Sequence, residues 1–318
     1  MRTLNRRRLR VLVLAGALAL LASCASTSPN KLGSALSATQ PPPSSGASPL
    51  PSRSGGTQAN GSSNGSTAGG GGISGGGATS GGAGPAHFAT LAPGAALPSD
   101  AQCAAWVRAR PMRENKGANA TANHTTGQHV DGSLLSGDAG NAATTIAPRI
   151  DGDFTGTTPE ILRWVACKWG IDENIVFAQA AVESWWRQDT LGDWDSDASA
   201  CPPGHGLGAD GKAGQCPQSY GILQDRWPYM KQGWPGFGKS TAMDADMAYA
   251  IWRSCFDGYE TWLNTVDRGQ QYRAGDAWGC VGRWFSGRWH TSASDGYVAK
   301  VKQYESEQIW TTADFQQP

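Results

Sequence analysis

This 318-residue chain has no apolar stretch long enough to cross a bilayer as a helix: its apolar run from Val11 to Leu21 falls short of the roughly 20 residues required. Its cysteines never form a closely spaced pair and no His-x-x-x-His occurs, so the common zinc frameworks are excluded and no metal or other cofactor is expected. After residue 23 there is no basic tract, which argues against nucleic acid and against electrostatic attraction to anionic lipid. From Ala25 to about Pro98 large apolar residues and charges are both nearly missing. Such a segment cannot bury enough surface to offset its ordering entropy; it is expected to be a disordered tether of about 75 residues with a span of roughly 50 Å. The C-terminal half lacks alternating strand patterns, so the fold class expected is mostly α, with at most a small hairpin after residue 183.

What is present at the start is an export pattern. Arg2, Arg6, Arg7, Arg8 and Arg10 precede the apolar run, and Leu21-Ala22-Ser23-Cys24 closes it. That ending resembles a bacterial lipobox, in which the cysteine is acylated and becomes the new N-terminus. The alternative is an ordinary signal peptide cleaved nearby, with Cys24 incidental; small residues directly before a cysteine are the more specific signal, and several acyl chains on one residue would anchor stably. The organisation expected is a signal peptide over 1–23, a Gly/Ser/Pro-rich linker over 24–99, an arm over 100–156 and a compact domain over 157–318. Residues 1–23 remove five of 26 basic residues and none of 26 acidic ones, leaving a net charge of about −5. The product is expected to be an exported monomer, held at the cell envelope by the lipid on Cys24.

Export leaves six cysteines in an oxidising compartment: Cys103, Cys167, Cys201, Cys216, Cys255 and Cys280. Three disulfides are expected, and of the 15 connectivities open to six cysteines we favour Cys103 with Cys167, Cys201 with Cys216, and Cys255 with Cys280. Cys103 lies in a short helical pattern that would pin the arm to the domain. His124 and His129 read as solvated, and Asn119 and Asn123 match a glycosylation pattern that has meaning only in some hosts.

The compact domain opens with Thr158 as a cap before Pro159, and Ile161, Trp164, Val165 and Trp169 as a buried face ended by Gly170. Asp172 then caps a helix carrying Ala180-Ala181-Val182-Glu183-Ser184-Trp185-Trp186. A carboxyl among such neighbours is partly desolvated, which raises its pKa toward what a general acid needs near neutral pH. The plain alternative is a surface ion pair from Glu183 to Arg187 at i, i+4. Further on, Met243, Met247, Ile251, Cys255, Tyr259, Trp262 and Val266 follow a cap at Ser240 or Thr241, with Asp257-Gly258 able to split the helix. A last helix begins near Ser294 with Tyr297, Val301, Tyr304 and Gln308 in register.

Glu183-Ser184 at a helix end, followed by Gly221-Ile222-Leu223-Gln224, resembles the Glu-Ser and Gly-Leu-Met-Gln motifs of soluble-lytic-transglycosylase (SLT) domains in the lysozyme-like superfamily. Gly282-Arg283-Trp284-Phe285-Ser286-Gly287 stands where that family has Ala-Ala-Tyr-Asn-Ala-Gly, and Tyr297-Val298 resembles its closing helix. The resemblance runs over about residues 157 to 310 and implies a lysozyme-like helical domain acting on peptidoglycan glycan strands. It implies Glu183 as the single acid and base that cleaves the MurNAc-GlcNAc β-1,4 bond with a 1,6-anhydromuramyl product, and Ser184, Tyr220, Gln224, Trp284 and Tyr297 as residues around the glycan. The family's Tyr-Asn pair is Trp284-Phe285 here, so the hydroxyl beside the acid is missing unless another tyrosine, Tyr297 or Tyr220, replaces it.

Between the motifs lies a disulfide-rich loop, residues 192–218. Asp193, Asp195 and Asp197 alternate in it as candidates for a second carboxylate or a calcium site, although the glycine and glutamate of an EF-hand are missing. His205 reads as exposed, and Gly204, Gly206 and Gly208 follow no strand and are not a nucleotide loop. Of 14 tryptophans, 13 follow residue 160, an excess that a glycan groove would use. Trp164, Trp169, Trp252 and Trp262 read as core; Trp186, Trp194, Trp227 and Trp284 read as groove. The rival functions are a hydrolytic muramidase using one of the three aspartates, and a non-catalytic glycan-binding wall lipoprotein.

Overall fold

The computed structural model describes residues 84–316. The expected signal peptide, Cys24 and most of the expected tether lie outside the described residues. The segment 84–99, expected as the end of that tether, is instead laid against the domain. The Leu91 N–H donates to the Gly170 carbonyl (3.0 Å), the Glu173 N–H to the Phe88 carbonyl (3.0 Å) and the Gly94 N–H to Asp257 Oδ1 (2.8 Å), and the Phe88 ring is buried. One aromatic and two leucines are enough to seat the segment because backbone hydrogen bonds and the side chains of His87, Arg253 and Asp257 do the rest.

Among the described residues eight α-helices carry the fold: α1 (Asp100–Arg108), α2 (Ala120–Asn123), α3 (Ala142–Thr145), α4 (Thr158–Trp169), α5 (Glu173–Ser184), α6 (Thr241–Phe256), α7 (Ala277–Ser286) and α8 (Ser292–Ser306). Among the described residues the sheet is three two-residue strands, β1 (Leu191–Gly192), β2 (Ser219–Tyr220) and β3 (Asp225–Arg226), antiparallel in the order β1-β2-β3, with Leu191 opposite Tyr220 and Tyr220 opposite Asp225. The described residues are therefore mostly helical, with their small sheet after α5. No helix of the described residues is long and apolar enough to cross a membrane.

The helix punctuation is local chemistry. Thr157, one residue before the expected Thr158, caps α4; its hydroxyl accepts from the Glu160 N–H while the Glu160 carboxylate accepts from the Thr157 N–H. Gly170 ends α4 in the left-handed region (φ 60), and Asp172 caps α5 by accepting from the Asn174 N–H. Ser240 caps α6, all of whose residues are buried; α4 and α7 pack on it, α1 packs on α4, and α5 and α7 pack on α8. The apolar spacing that continues to Val266 does not continue the helix. Asp257 ends it, Gly258 turns the chain at φ 92, and Val266 is 84% exposed in a later 3₁₀ turn. At the other end, α8 starts from a Thr291 cap and stops before Gln308, which is left-handed (φ 43).

Three disulfides are formed, Cys103–Cys167, Cys201–Cys216 and Cys255–Cys280. They tie α1 to α4, close the loop lobe, and tie α6 to α7. Asn119 and Asn123 are buried and hydrogen-bonded, so neither side chain is available for glycosylation.

Candidate active site

α5 buries Ile175 through Ala181 and brings Val182 and Glu183 to a half-buried position at its end. Ser184 is the last helical residue; its hydroxyl donates to the Ile222 carbonyl (2.9 Å) and accepts from the Arg187 N–H (3.1 Å). Trp185 and Trp186 then both take left-handed backbone angles (φ 59 and 62), which for bulky residues costs about 1–3 kcal/mol each. Asn119 from the arm holds this turn: its amide donates to the Trp186 carbonyl (2.7 Å) and its carbonyl accepts from the Gln188 N–H (2.9 Å). The turn carries Arg187 away from Glu183, and Arg187 instead lies 3.5 Å from exposed Asp189. The i, i+4 ion pair is thus absent because the helix ends between its partners. Trp186, expected in the groove, is 1% exposed; its indole donates to the Phe177 carbonyl (2.9 Å) and packs on Phe177 and Phe315.

The second motif is a clamp facing α5. Gly221 (φ 82) lies where a Cβ would meet Asp244 Oδ2 at 1.8 Å and Gln188 Nε2 at 2.5 Å, so only glycine fits. Asp244 on α6 accepts from the Leu223 N–H (2.8 Å), and Gln188 accepts from the Ile222 N–H (3.1 Å). Gln224, left-handed at φ 60, donates both amide hydrogens to backbone, to Thr190 O (3.1 Å) and Gly221 O (2.8 Å). Tyr220 is 2% exposed and donates to the Pro217 carbonyl (2.9 Å) among His205, Trp234 and Phe237. Ser184 and Tyr220 are thus buried and bonded to backbone, while Gln224 is half-buried and its amide hydrogens shape the turn.

Around Glu183 itself, Tyr297 from α8 donates its hydroxyl to Oε1, and Trp284 from α7 is half-buried alongside, its indole donating to the Leu223 carbonyl (3.2 Å). Burial pushes the Glu183 carboxyl up from 4.5 to about 7; the Tyr297 hydroxyl pulls it back, the Asp193 charge adds to the rise, and Trp284 lowers it slightly. The Tyr297 hydroxyl is held well above its ordinary value by burial and by Glu183, so it stays a donor. Tyr297 rather than Tyr220 therefore supplies the hydroxyl at the acid.

Two carboxyls absent from the sequence reading lie near this site. Asp225 and Asp244 are fully buried, and both are pushed well above the usual range, by burial first and then by neighbouring carboxylates that include Glu183. Among the described residues neither oxygen of Asp225 has a hydrogen-bond partner, so an ionised carboxylate there would be uncompensated. Asp225 follows Gln224 directly, which is its one sequence signal; Asp244 lies between Met243 and Met247 on α6 and falls outside the apolar spacing read from the sequence.

Of the alternating acids, Asp193 acts on Glu183 and receives the Ser219 hydroxyl, with Arg226 3.5 Å away. Asp195 accepts from Gln218 (2.8 Å) and from the Asp197 N–H (2.9 Å), and Asp197 caps a 3₁₀ turn, so both build the lobe. Among the described residues no group of three or more His, Cys, Asp or Glu is arranged to hold a metal ion. His205 is half-buried against Tyr220 and Trp234 and hydrogen-bonded to Asp210 (2.9 Å), not exposed. Trp194 and Trp227 are half-buried on the lobe, under Lys212 and Lys231 respectively, and Trp262 is half-buried rather than core. No family model, no curated protein and no solved structure matches this chain.

Proposed function

We propose that this chain is a peptidoglycan lytic transglycosylase on a lysozyme-like domain, exported and held at the envelope through a lipid on Cys24. The observation that carries the reading is the state of Glu183: a half-buried glutamate pushed to about 7 and held by a tyrosine from the closing helix. A carboxyl with that value is half protonated near neutral pH, so it can give a proton and then take one. In the proposed reaction Glu183 protonates the glycosidic oxygen as the bond from C1 breaks. As carboxylate it then removes the proton of the muramyl 6-hydroxyl, whose oxygen closes on C1. Water is neither consumed nor released, Glu183 ends protonated, and no cofactor is required. Tyr297 orients the carboxyl through both steps, and Trp284 flanks it.

One observation favours a second reading. Asp193 is an exposed carboxylate near enough to act on Glu183, as a hydrolytic muramidase would need for positioning water. Mass spectrometry of fragments released from purified peptidoglycan by residues 84–318, with Glu183→Gln in parallel, separates the two. Anhydro ends from the wild type alone support the transglycosylase, and reducing ends support the hydrolase. No fragments from folded protein would leave a glycan-binding lipoprotein.

A further inference from the structure

Three large apolar side chains are exposed among the described residues, Leu207, Val266 and Phe285, and one of them adjoins the site. Phe285 stands near the end of α7, whose buried residues are Gly279 through Gly282, and it is 43% exposed. Its ring lies parallel to that of Tyr297, with centroids 4.8 Å apart and planes 8° apart. Tyr297 is itself buried and donates to Glu183, so one face of Phe285 rests on the residue that holds the acid. The exposed area of Phe285 must then lie on its opposite face and edges. An open aromatic face costs free energy in water and regains it when an apolar surface covers it. The surface complementary to a flat ring, one step from a carboxyl poised to protonate a glycosidic oxygen, is the C–H face of a pyranose.

We propose that Phe285 is the sugar platform of this site, its free face taking the C–H face of an N-acetylated hexopyranose ring beside the bond that Glu183 protonates. The proposal rests on the glycan-cleaving reading, and it names a specificity residue that lies outside the residues assigned above. Phe285 selects for rings with an uninterrupted axial C–H face and leaves the proton transfers to Glu183.

Two measurements on residues 84–318 test it. In the first, peptidoglycan cleavage is compared for wild type, Phe285→Ala and Phe285→Trp, with thermal unfolding checked for each. Phe285→Ala is expected to raise KM about five- to tenfold, with a smaller change in kcat, and Phe285→Trp to restore it. A fall in kcat with KM unchanged and a shifted pH profile would mean that Phe285 only props Tyr297, and would overturn the platform, as would unchanged kinetics. In the second, chitotetraose is titrated into Glu183→Gln with and without Phe285→Ala. Weaker binding in the double variant supports the platform even if wild type cleaves nothing, in which case only the enzymatic reading fails. Equal binding, or none by either protein, overturns the platform whatever the cleavage result.

Discussion

A carboxyl kept neutral by burial is a source of instability whenever it ionises. Glu183 has an ordinary value of 4.5 and a folded value of about 7, so between these the native state binds more protons than the unfolded one. Stability contributed by the protonated form is therefore full below 4.5 and declines as pH rises through 7, with a cost of about 3 kcal/mol above that. Glu183→Gln removes the ionisation. We expect it to be more stable than wild type by up to about 3 kcal/mol at pH 8 and nearly equal at pH 4, in urea unfolding at both values. A difference of the same size at both pH values would show that the effect is packing and not charge. If Glu183 is the acid and base proposed above, the same value should appear as the alkaline limb of kcat/KM, with activity falling as pH rises through about 7.

The element that aims this carboxyl is the end of α5, where two consecutive tryptophans adopt backbone angles that bulky residues seldom take. Such strain persists only where neighbours over-determine it. Here they are the buried Trp186 indole and the three hydrogen bonds of Asn119, the third to the Thr158 hydroxyl (3.0 Å). Asn119→Ala would leave the Trp186 carbonyl and the Gln188 N–H unpaired in the interior, at roughly 1–3 kcal/mol each. The expected result is a loss of about 3 kcal/mol in denaturant unfolding together with reduced activity, because the helix end carrying Glu183 loosens. A variant as stable as wild type would mean that aromatic packing alone holds the turn. At this scale much was legible. The Pro159 signal, Gly170 and Asp172 placed α4 and α5 because caps depend on residues two to four apart. The cap moved by one residue because Thr157 and Thr158 both offer a hydroxyl and only Thr157 has Glu160 at the reciprocal position. The end of α6 was less legible, since apolar spacing runs through Gly258 while the backbone does not.

At the scale of the described molecule, a buried cation is among the contacts that join arm and domain. Lys168 on α4 is wholly buried, with Asp246 of α6 and Asp151 of the arm each at 2.8 Å and Asp100 of α1 at 3.2 Å, over the Trp164 ring. Burial alone would lower its pKa, but the three carboxylates outweigh burial and raise it. Asp246 in turn accepts from the Trp169 indole and from the Asp151 and Gly152 N–H groups. Lys168→Met would fill the space and strand these acids, at a cost of about 3–5 kcal/mol. Because the network and the Cys103–Cys167 disulfide join segments far apart in sequence, we expect arm and domain to unfold in a single transition in wild type and variant alike. Two transitions in wild type, followed by fluorescence and circular dichroism, would show that the arm folds separately.

The sequence by itself determined the helical class, the starts of α4 and α5, the use of six cysteines, and Glu183 as a carboxyl with apolar neighbours on one helix. Each rests on residues within a turn or two of one another, or on counting. Only the tertiary structure decided that Tyr297, 114 residues along the chain, reaches that carboxyl, that Asp225 and Asp244 are shut away beside it, and that segment 84–99 is seated on the domain. It also decided which tryptophans face inward, because two left-handed residues after Ser184 turn Trp186 into the core and Arg187 out to solvent. Burial depends on what arrives from elsewhere in the chain, and a periodic pattern carries no record of a change in the sign of φ.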